Sequence, residues 1–414
     1  MGRRIAMLSM HTSPLAALGG KETGGMNVYV RELTQNLARR GWQVDTFTRW
    51  QDPSLPRVQE NGGGRLVHIA AGPQGAADRR ALSEYVPQFA EGVRQFARDE
   101  RITYDLIHSH YWLSGWAGLA LQGEWQAPLV HMFHTLGRMK DAVADRPEQR
   151  EAADRAEVEQ AVMDSADRVV AATPLDRQQM LDLYHVNEAK IVIIPCGVNL
   201  QLFRPINRQV AREKLGIEPG RQMLLFVGRL DPVKGLRVLL EAMCELTRRI
   251  SRPRAEELSL AVIGGDRESH LEALMDEAKC LTEITHELGL DNLVVFIGSR
   301  AQEDLPYYYS AAAACVMPSL YESFGMVALE AMACGTPVIA SRVGGLTFTV
   351  RDGETGYLVP ERDPKALADK LELVLGDACL RARLGRRALQ VAQGYSWDLV
   401  TEGMEALYAE LGVS

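Results

Sequence analysis

The sequence predicts an α/β protein built from two doubly wound, Rossmann-like domains with a cleft between them. Three observations predict it. The chain has 414 residues, more than one core organises, so two domains of about 200 residues are the natural division. Short apolar runs alternate with longer helical patterns, the signature of parallel sheets covered on both faces. A second strand series starts after Gly197 to Pro205, GVNLQLFRP, whose turn residues and proline read as a hinge.

In the first half, strands are predicted near residues 4–10, 44–50, 66–72, 105–111, 128–135, 168–173 and 191–195. A helix over 27–39 lies between the first two; its Val28, Leu33 and Leu37 share a face, and Gly41 ends it. Gly62 to Gly64 reads as a tight surface turn. The second half supplies MLLFVG at 223–228, LAVIGG at 260–265, LVVFIG at 293–298, CVMPS at 315–319 and PVIAS at 337–341. The domains are accordingly placed at 1–200 and 201–396. The last stretch, 397–411, is amphipathic through Leu399, Met404, Leu407 and Leu411, and is free to return to the first domain as a helix. Ligands of such folds sit at the carboxyl ends of the strands, here in the crevice.

Composition narrows the partners. A net charge of −8 argues against general attraction to nucleic acid or anionic membrane. The cluster Arg248, Arg249, Arg252 and Arg254 reads as a solvated loop. All six cysteines (Cys196, Cys244, Cys280, Cys315, Cys334, Cys379) lie in the second half without a CxxC pair, and read as reduced core residues of a cytoplasmic protein. The apolar run after Arg3 and Arg4, IAMLSM, is too short for a signal peptide. No run approaches the roughly 18 apolar residues of a membrane span.

Chemistry concentrates in Tyr321 to Pro337, YESFGMVALEAMACGTP. Glu322 and Glu330 stand eight residues apart around the start of an apolar helix, a little over two turns, so both carboxylates could face one ligand. Gly325 lets that ligand approach the backbone, and the free N–H groups of the first turn favour an anion. Such a set suits a sugar joined to a diphosphate; a capped helix after a strand is the plain alternative. VGRLDPVKG at 227–235 places Arg229 and Lys234 after a strand, where two cations would neutralise a departing diphosphate unless they are ordinary surface charge. No D-x-D triplet occurs and no His/Cys cluster has metal-ligand spacing, so metal-independent turnover is predicted, with no cofactor beyond the co-substrate.

In the first half, Gly24 and Gly25 lead into the helix at Asn27, either pressing amides against a phosphate or forming a plain turn. His108 and His110 share one face of a strand, whereas His131 and His134 do not. His134 stands out because HTLGRMK leaves the strand there and carries Arg138 and Lys140 toward the crevice. Arg79 and Arg155 are further basic candidates. A surface i, i+4 pair is the default reading of Arg155 with Glu159, and an acceptor phosphate the functional one.

Together, GGMNVYV, YDLIHSHYWLSG, FHTL, VGRLDPVKG and ESFGMVALEAMACGTPV resemble the retaining nucleotide-sugar glycosyltransferases of GT-B architecture, family 4. The match runs over nearly the whole chain. SMHTSPL and HSHYWLSG are similar to the inositol-phosphate N-acetylglucosaminyltransferases of mycothiol synthesis, and HTLGRMK to sucrose-phosphate synthases, which usually read GGQ where this chain has Gly24, Gly25 and Met26. The resemblance implies a UDP-sugar donor, glucose or N-acetylglucosamine, and a small phosphorylated acceptor, inositol phosphate or fructose 6-phosphate. It implies that Arg229 and Lys234 hold the diphosphate, Glu330 the ribose hydroxyls and Glu322 the transferred sugar. Amides around Phe324, Gly325 and Met326 would bind phosphate oxygens, with Gly24 and Gly25 meeting them from the other domain. His134 would lie against the sugar. Asn27, Arg79, Tyr111, Thr135 and Arg155 match acceptor-binding positions, with Arg79 in place of a lysine. A homodimer is compatible with the resemblance, although no apolar stripe demands one. A non-phosphorylated glycan or lipid acceptor, a nucleotide-sugar epimerase, and a non-catalytic sensor are the competing readings.

Overall fold

The computed structural model describes residues 3–16, 23–75, 81–144, 150–265 and 272–413, the side chains of 272–277 excepted. Two compact units emerge. The first comprises the chain up to Ala16, Gly25–Cys196 and the segment from Trp397; the second is built on Gly197–Ser396.

The first unit holds one sheet of eight strands: β1 (Arg4–Leu8), β2 (Gln43–Arg49), β3 (Val58–Asn61), β4 (Gly64–Ile69), β5 (Leu106–His110), β6 (Leu129–Met132), β7 (Arg168–Ala171) and β8 (Ile191–Ile193). Their order is β3-β4-β2-β1-β5-β6-β7-β8, parallel except for β3 against β4. The central strands are almost wholly buried because helices cover both faces, and they read as mainly apolar runs into which β5, LIHSH, and β6, LVHM, bury histidines. Seven of the eight coincide with predicted strands. The eighth, β3, has the sequence VQEN and carries no apolar pattern; it exists because Gly62 and Gly63 turn the chain back on β4 as a hairpin.

Helix Trp397–Glu410 belongs to this unit and packs on helix Gly25–Arg39. Arg40 reaches Glu402 and Glu405, and Trp42 donates its indole N–H to Glu405 at 2.8 Å. Its buried face is Trp397, Val400, Thr401, Met404, Leu407 and Tyr408. Leu399, predicted on that face, is half exposed, and Leu411 lies beyond the helix end. Met404 and Leu407 lie on the buried face as expected, and Trp397, Val400 and Tyr408 complete it in place of Leu399 and Leu411.

The second unit has a six-stranded parallel sheet: β9 (Gln222–Val227), β10 (Leu258–Ile263), β11 (Val294–Gly298), β12 (Ala314–Met317), β13 (Val338–Ser341) and β14 (Gly356–Val359), ordered β11-β10-β9-β12-β13-β14. Its switch point lies between β9 and β12, the place where open α/β sheets bind ligands. Edge strand β14, GYLV, is too short and glycine-led for its pattern to stand out. The arginines read as a loop are helix residues instead: Arg248 and Arg249 end helix Leu236–Arg249, and Arg252 and Arg254 lie in helix Arg252–Glu256. All six cysteines are free, but only Cys196, Cys244, Cys315 and Cys334 are core residues; Cys280 and Cys379 are exposed.

Candidate functional site

In the second unit, the residues singled out by sequence gather where β9, β12 and β13 end. After β9 the chain runs through Arg229 to Asp231, whose carboxylate accepts the Val233 N–H at 3.0 Å and starts the single turn Pro232–Lys234. Gly235 follows with φ +68, and a Cβ there would lie 1.9 Å from the Pro318 carbonyl oxygen, so only glycine lets this turn sit against the end of β12. Leu320 N–H donates to Val233 O at 2.8 Å and locks the two segments together. Lys234 Nζ thereby meets Glu322 Oε2 at 2.6 Å, both side chains partly exposed. Arg229 lies 3.3 Å from Asp231.

The two glutamates do not share a helix. Glu322 precedes it in a loop, and the helix runs Met326–Ala333 with Gly325 as its left-handed cap. Glu330 is 7% exposed and accepts a 2.7 Å hydrogen bond from the buried Tyr309 hydroxyl. Burial, and then the Glu330 charge, push the Tyr309 hydroxyl well above its ordinary range, so Tyr309 stays a donor. The loop carrying Glu322 is fixed from behind by Gly344 and Gly345. Gly345 N–H donates to Glu322 O at 2.8 Å, and a Cβ on Gly344 would lie 1.9 Å from that oxygen. Thr349 donates to Phe324 O at 2.7 Å. Phe324 is buried, and Met326 opens the first turn, whose N–H groups form an anion-favouring end.

In the first unit, β5 and β6 end in two strained residues. Tyr111 adopts φ 74, ψ 152, a region populated almost only by glycine, and His134 adopts φ 61. Tyr111 is held through its hydroxyl, which accepts from Arg155 Nη1 at 3.0 Å. Arg155 overturns the surface-pair reading, since its side chain and that of Glu159 are both fully buried. Its five N–H donors are all engaged: Glu159 at 2.7 Å, Glu151 at 2.7 Å, the Tyr111 hydroxyl, and Thr135 O and Oγ1 at 2.6 and 3.2 Å. Burial opposes its charge, but Tyr111, Glu159 and Glu151 outweigh it and hold the guanidinium protonated. Glu159 also accepts from Gly137 N–H and the Tyr184 hydroxyl. Glu151 bridges to Lys140.

Arg138 does not join this group; its guanidinium lies over the Tyr184 ring and donates to Leu183 O. Asn27 is buried and uses its amide nitrogen to hold Thr12 Oγ1 and Ser13 O at 2.7 Å. Gly25 opens its helix, and a Cβ on Gly24 would meet nothing within 4 Å. Arg79 lies outside the described residues.

His134 meets His110, Nε2 to Nδ1, at 3.0 Å, and His110 Nε2 meets Met7 Sδ at 2.9 Å. His108 bonds the Tyr408 hydroxyl and His131 bonds Ser109 Oγ. Burial holds all four imidazoles neutral, with His108 and His134 pushed down to about 3. Sequence reading missed Glu151, Tyr184, Tyr309 and the Gly344–Gly345 pair as parts of this geometry. Only the last left a signal, a double glycine just beyond a buried strand. Among the described residues no group of His, Cys, Asp or Glu is arranged to hold a metal, and no helix is long and apolar enough to cross a membrane.

Comparison with known proteins bears on this arrangement directly. The family description "Glycosyltransferase Family 4" matches residues 23–202, and "Glycosyl transferases group 1" matches 207–391. The D-inositol 3-phosphate glycosyltransferase of Nocardia farcinica is 41% identical over 98% of this chain and 89% of its own length. A sucrose-phosphate synthase from Thermosynechococcus elongatus superposes with a TM-score of 0.90 at 36% identity, covering 99% of both chains. Anabaena HepE, solved with UDP-glucose, shares the fold with a TM-score of 0.77 at 20% identity, over 98% of this chain and 99% of its own. The chain therefore belongs to the glycosyltransferases of family 4, and its two parallel-sheet α/β units are those of the GT-B architecture.

Proposed function

We propose that this enzyme transfers a hexosyl group from a UDP-sugar to a small phosphorylated acceptor, an inositol phosphate or fructose 6-phosphate, with retention of anomeric configuration and without a metal. One observation carries the acceptor class. Two cations, Arg155 and Lys140, converge on the single carboxylate of Glu151 beside the Tyr111 and Thr135 hydroxyls. A phosphate dianion that displaced Glu151 would inherit the same donors. The two relatives above share the chemistry by name, since one takes inositol phosphate and the other makes sucrose phosphate.

On the donor side, Arg229 and Lys234 bind the diphosphate, Glu322 and Glu330 accept from sugar and ribose hydroxyls, and the amides at Phe324, Gly325 and Met326 bind phosphate oxygens. The bond from the sugar's anomeric carbon to the β-phosphate oxygen breaks as the acceptor hydroxyl bonds to the same face. The acceptor's proton passes to the departing phosphate oxygen, while Arg229 and Lys234 stabilise the charge. Gly24 and Gly25 approach the phosphates, and Asn27, whose amide nitrogen holds Thr12 Oγ1 and Ser13 O, contributes to acceptor binding.

The full engagement of Arg155 favours a second reading, a non-phosphorylated glycan acceptor with Arg155 as a structural strut. A mass-spectrometric product screen decides between them. UDP-glucose and UDP-N-acetylglucosamine are each paired with fructose 6-phosphate, inositol phosphate and their unphosphorylated counterparts, with and without EDTA. Product only from unphosphorylated acceptors refutes the main reading, and loss of product in EDTA refutes metal independence.

A further inference from the structure

The contact between His110 and His134 fixes more than a position. A thioether sulfur carries no proton, so in the contact between Met7 Sδ and His110 Nε2 the ring nitrogen is the donor. His110 is neutral, held so by burial and then by the neighbouring imidazoles. A neutral ring protonated at Nε2 has a lone pair at Nδ1. The 3.0 Å contact to His134 Nε2 is then a hydrogen bond donated by His134. His134 is neutral as well, which leaves its Nδ1 without a proton. Among the described residues that nitrogen has no hydrogen-bond partner, and the ring is only half-buried, on a backbone forced to φ 61.

We propose that His110 is a positioning residue that locks His134 in the Nε2-protonated tautomer, presenting Nδ1 as an acceptor for a hydroxyl of the bound sugar. The hydrogen bonds run one way, from His134 to His110 to Met7, and end at a sulfur that accepts and cannot donate. Tyr29 packs edge-on against both rings, at 5.6 and 5.1 Å between centroids, and so restrains their tilt. The second-partner rule for imidazole, that the bond at one nitrogen decides the chemistry of the other, gives His110 its effect. The proposal rests on the reading that His134 lies against the sugar.

The test combines histidine-selective ¹⁵N NMR of the full-length enzyme with two variants. The His134 resonances, assigned by their loss in His134→Ala, should show a proton-bearing Nε2 and a bare Nδ1; a protonated Nδ1 overturns the proposal. His110→Asn places an amide oxygen where Nδ1 was and should keep both the tautomer and kcat/KM. His110→Leu offers no acceptor, and should lose the tautomer bias and roughly tenfold in kcat/KM, the equivalent of one hydrogen bond. Equal activity in the leucine and asparagine variants overturns it too. His134→Ala separates the failures. Unimpaired transfer there removes His134 from the site and takes both readings down, whereas impaired transfer with a protonated Nδ1 overturns this proposal alone.

Discussion

Lys234 and Glu322 stand 88 residues apart in sequence and meet at 2.6 Å, joining the turn after β9 to the loop after β12. The pair sets a cation and a carboxylate side by side, one suited to phosphate and one to hydroxyls. Lys234→Ala should lower kcat on the order of 10²–10³-fold, as loss of a preorganised charge does, while Glu322→Gln should chiefly raise the donor KM. Steady-state kinetics in both substrates checks the split.

Gly344→Ala should move the Glu322 loop without removing any polar side chain of the site. A methyl 1.9 Å from the Glu322 carbonyl oxygen, on a backbone at φ +46, has no low-cost relief. A loss of about 1–3 kcal/mol is expected from overpacking and strain. Denaturant unfolding and donor binding by calorimetry should both register it; wild-type donor affinity would refute the claim that this glycine sets the loop.

Arg155→Ala should destabilise the first unit rather than simply weaken acceptor binding. It strands Glu159 as a buried, uncompensated carboxylate, a change worth about 3–5 kcal/mol. The informative partner is Glu151→Gln. Removing the resident negative charge should lower the KM for a phosphorylated acceptor, and an unchanged KM would leave Arg155 as a strut only.

Tyr309→Phe removes the hydroxyl donated to Glu330 and leaves that carboxylate short of one partner in a nearly closed site. The cost should be about 1–3 kcal/mol in stability, with a raised donor KM. Calorimetric binding of UDP alone checks the second part.

Acid should unfold the first unit through its histidines. His108, His110 and His131 are buried, His134 is half-buried, and desolvation holds the folded pKa values of all four below the ordinary 6.5. The unfolded chain therefore takes up protons first, so their contribution is complete above about pH 6.5 and declines as pH falls toward 3. Asp176, whose carboxyl burial pushes up to about 6, works in the opposite direction between 3.8 and 6. Four groups against one predict a net fall in the urea midpoint from pH 6.5 to 4.5. His108→Gln should flatten that slope.

Much of the fold was legible because a parallel strand buried between helices is apolar along most of its length, and runs such as MLLFVG and LAVIGG can hardly be anything else. Of the four edge strands, β8 and β11 carry apolar runs and were legible, whereas β3 and β14 escaped, since an edge held by a turn or a single neighbour needs no such run. Site residues were legible as letters near strand ends, but their partners were not. Arg155 with Glu159 has the spacing of a surface pair, and nothing local says that Tyr111, Thr135 and Glu151 close over it.

By itself the sequence determined the α/β class, the family motifs and the chemical types at the strand ends, because these follow from local periodicity and from residues fixed by backbone geometry. Tertiary structure alone decided which charges are buried, which carboxylate meets which cation, and which nitrogen of His134 faces His110. Those depend on contacts between segments distant in the chain, where burial and a single neighbouring atom outweigh any local preference.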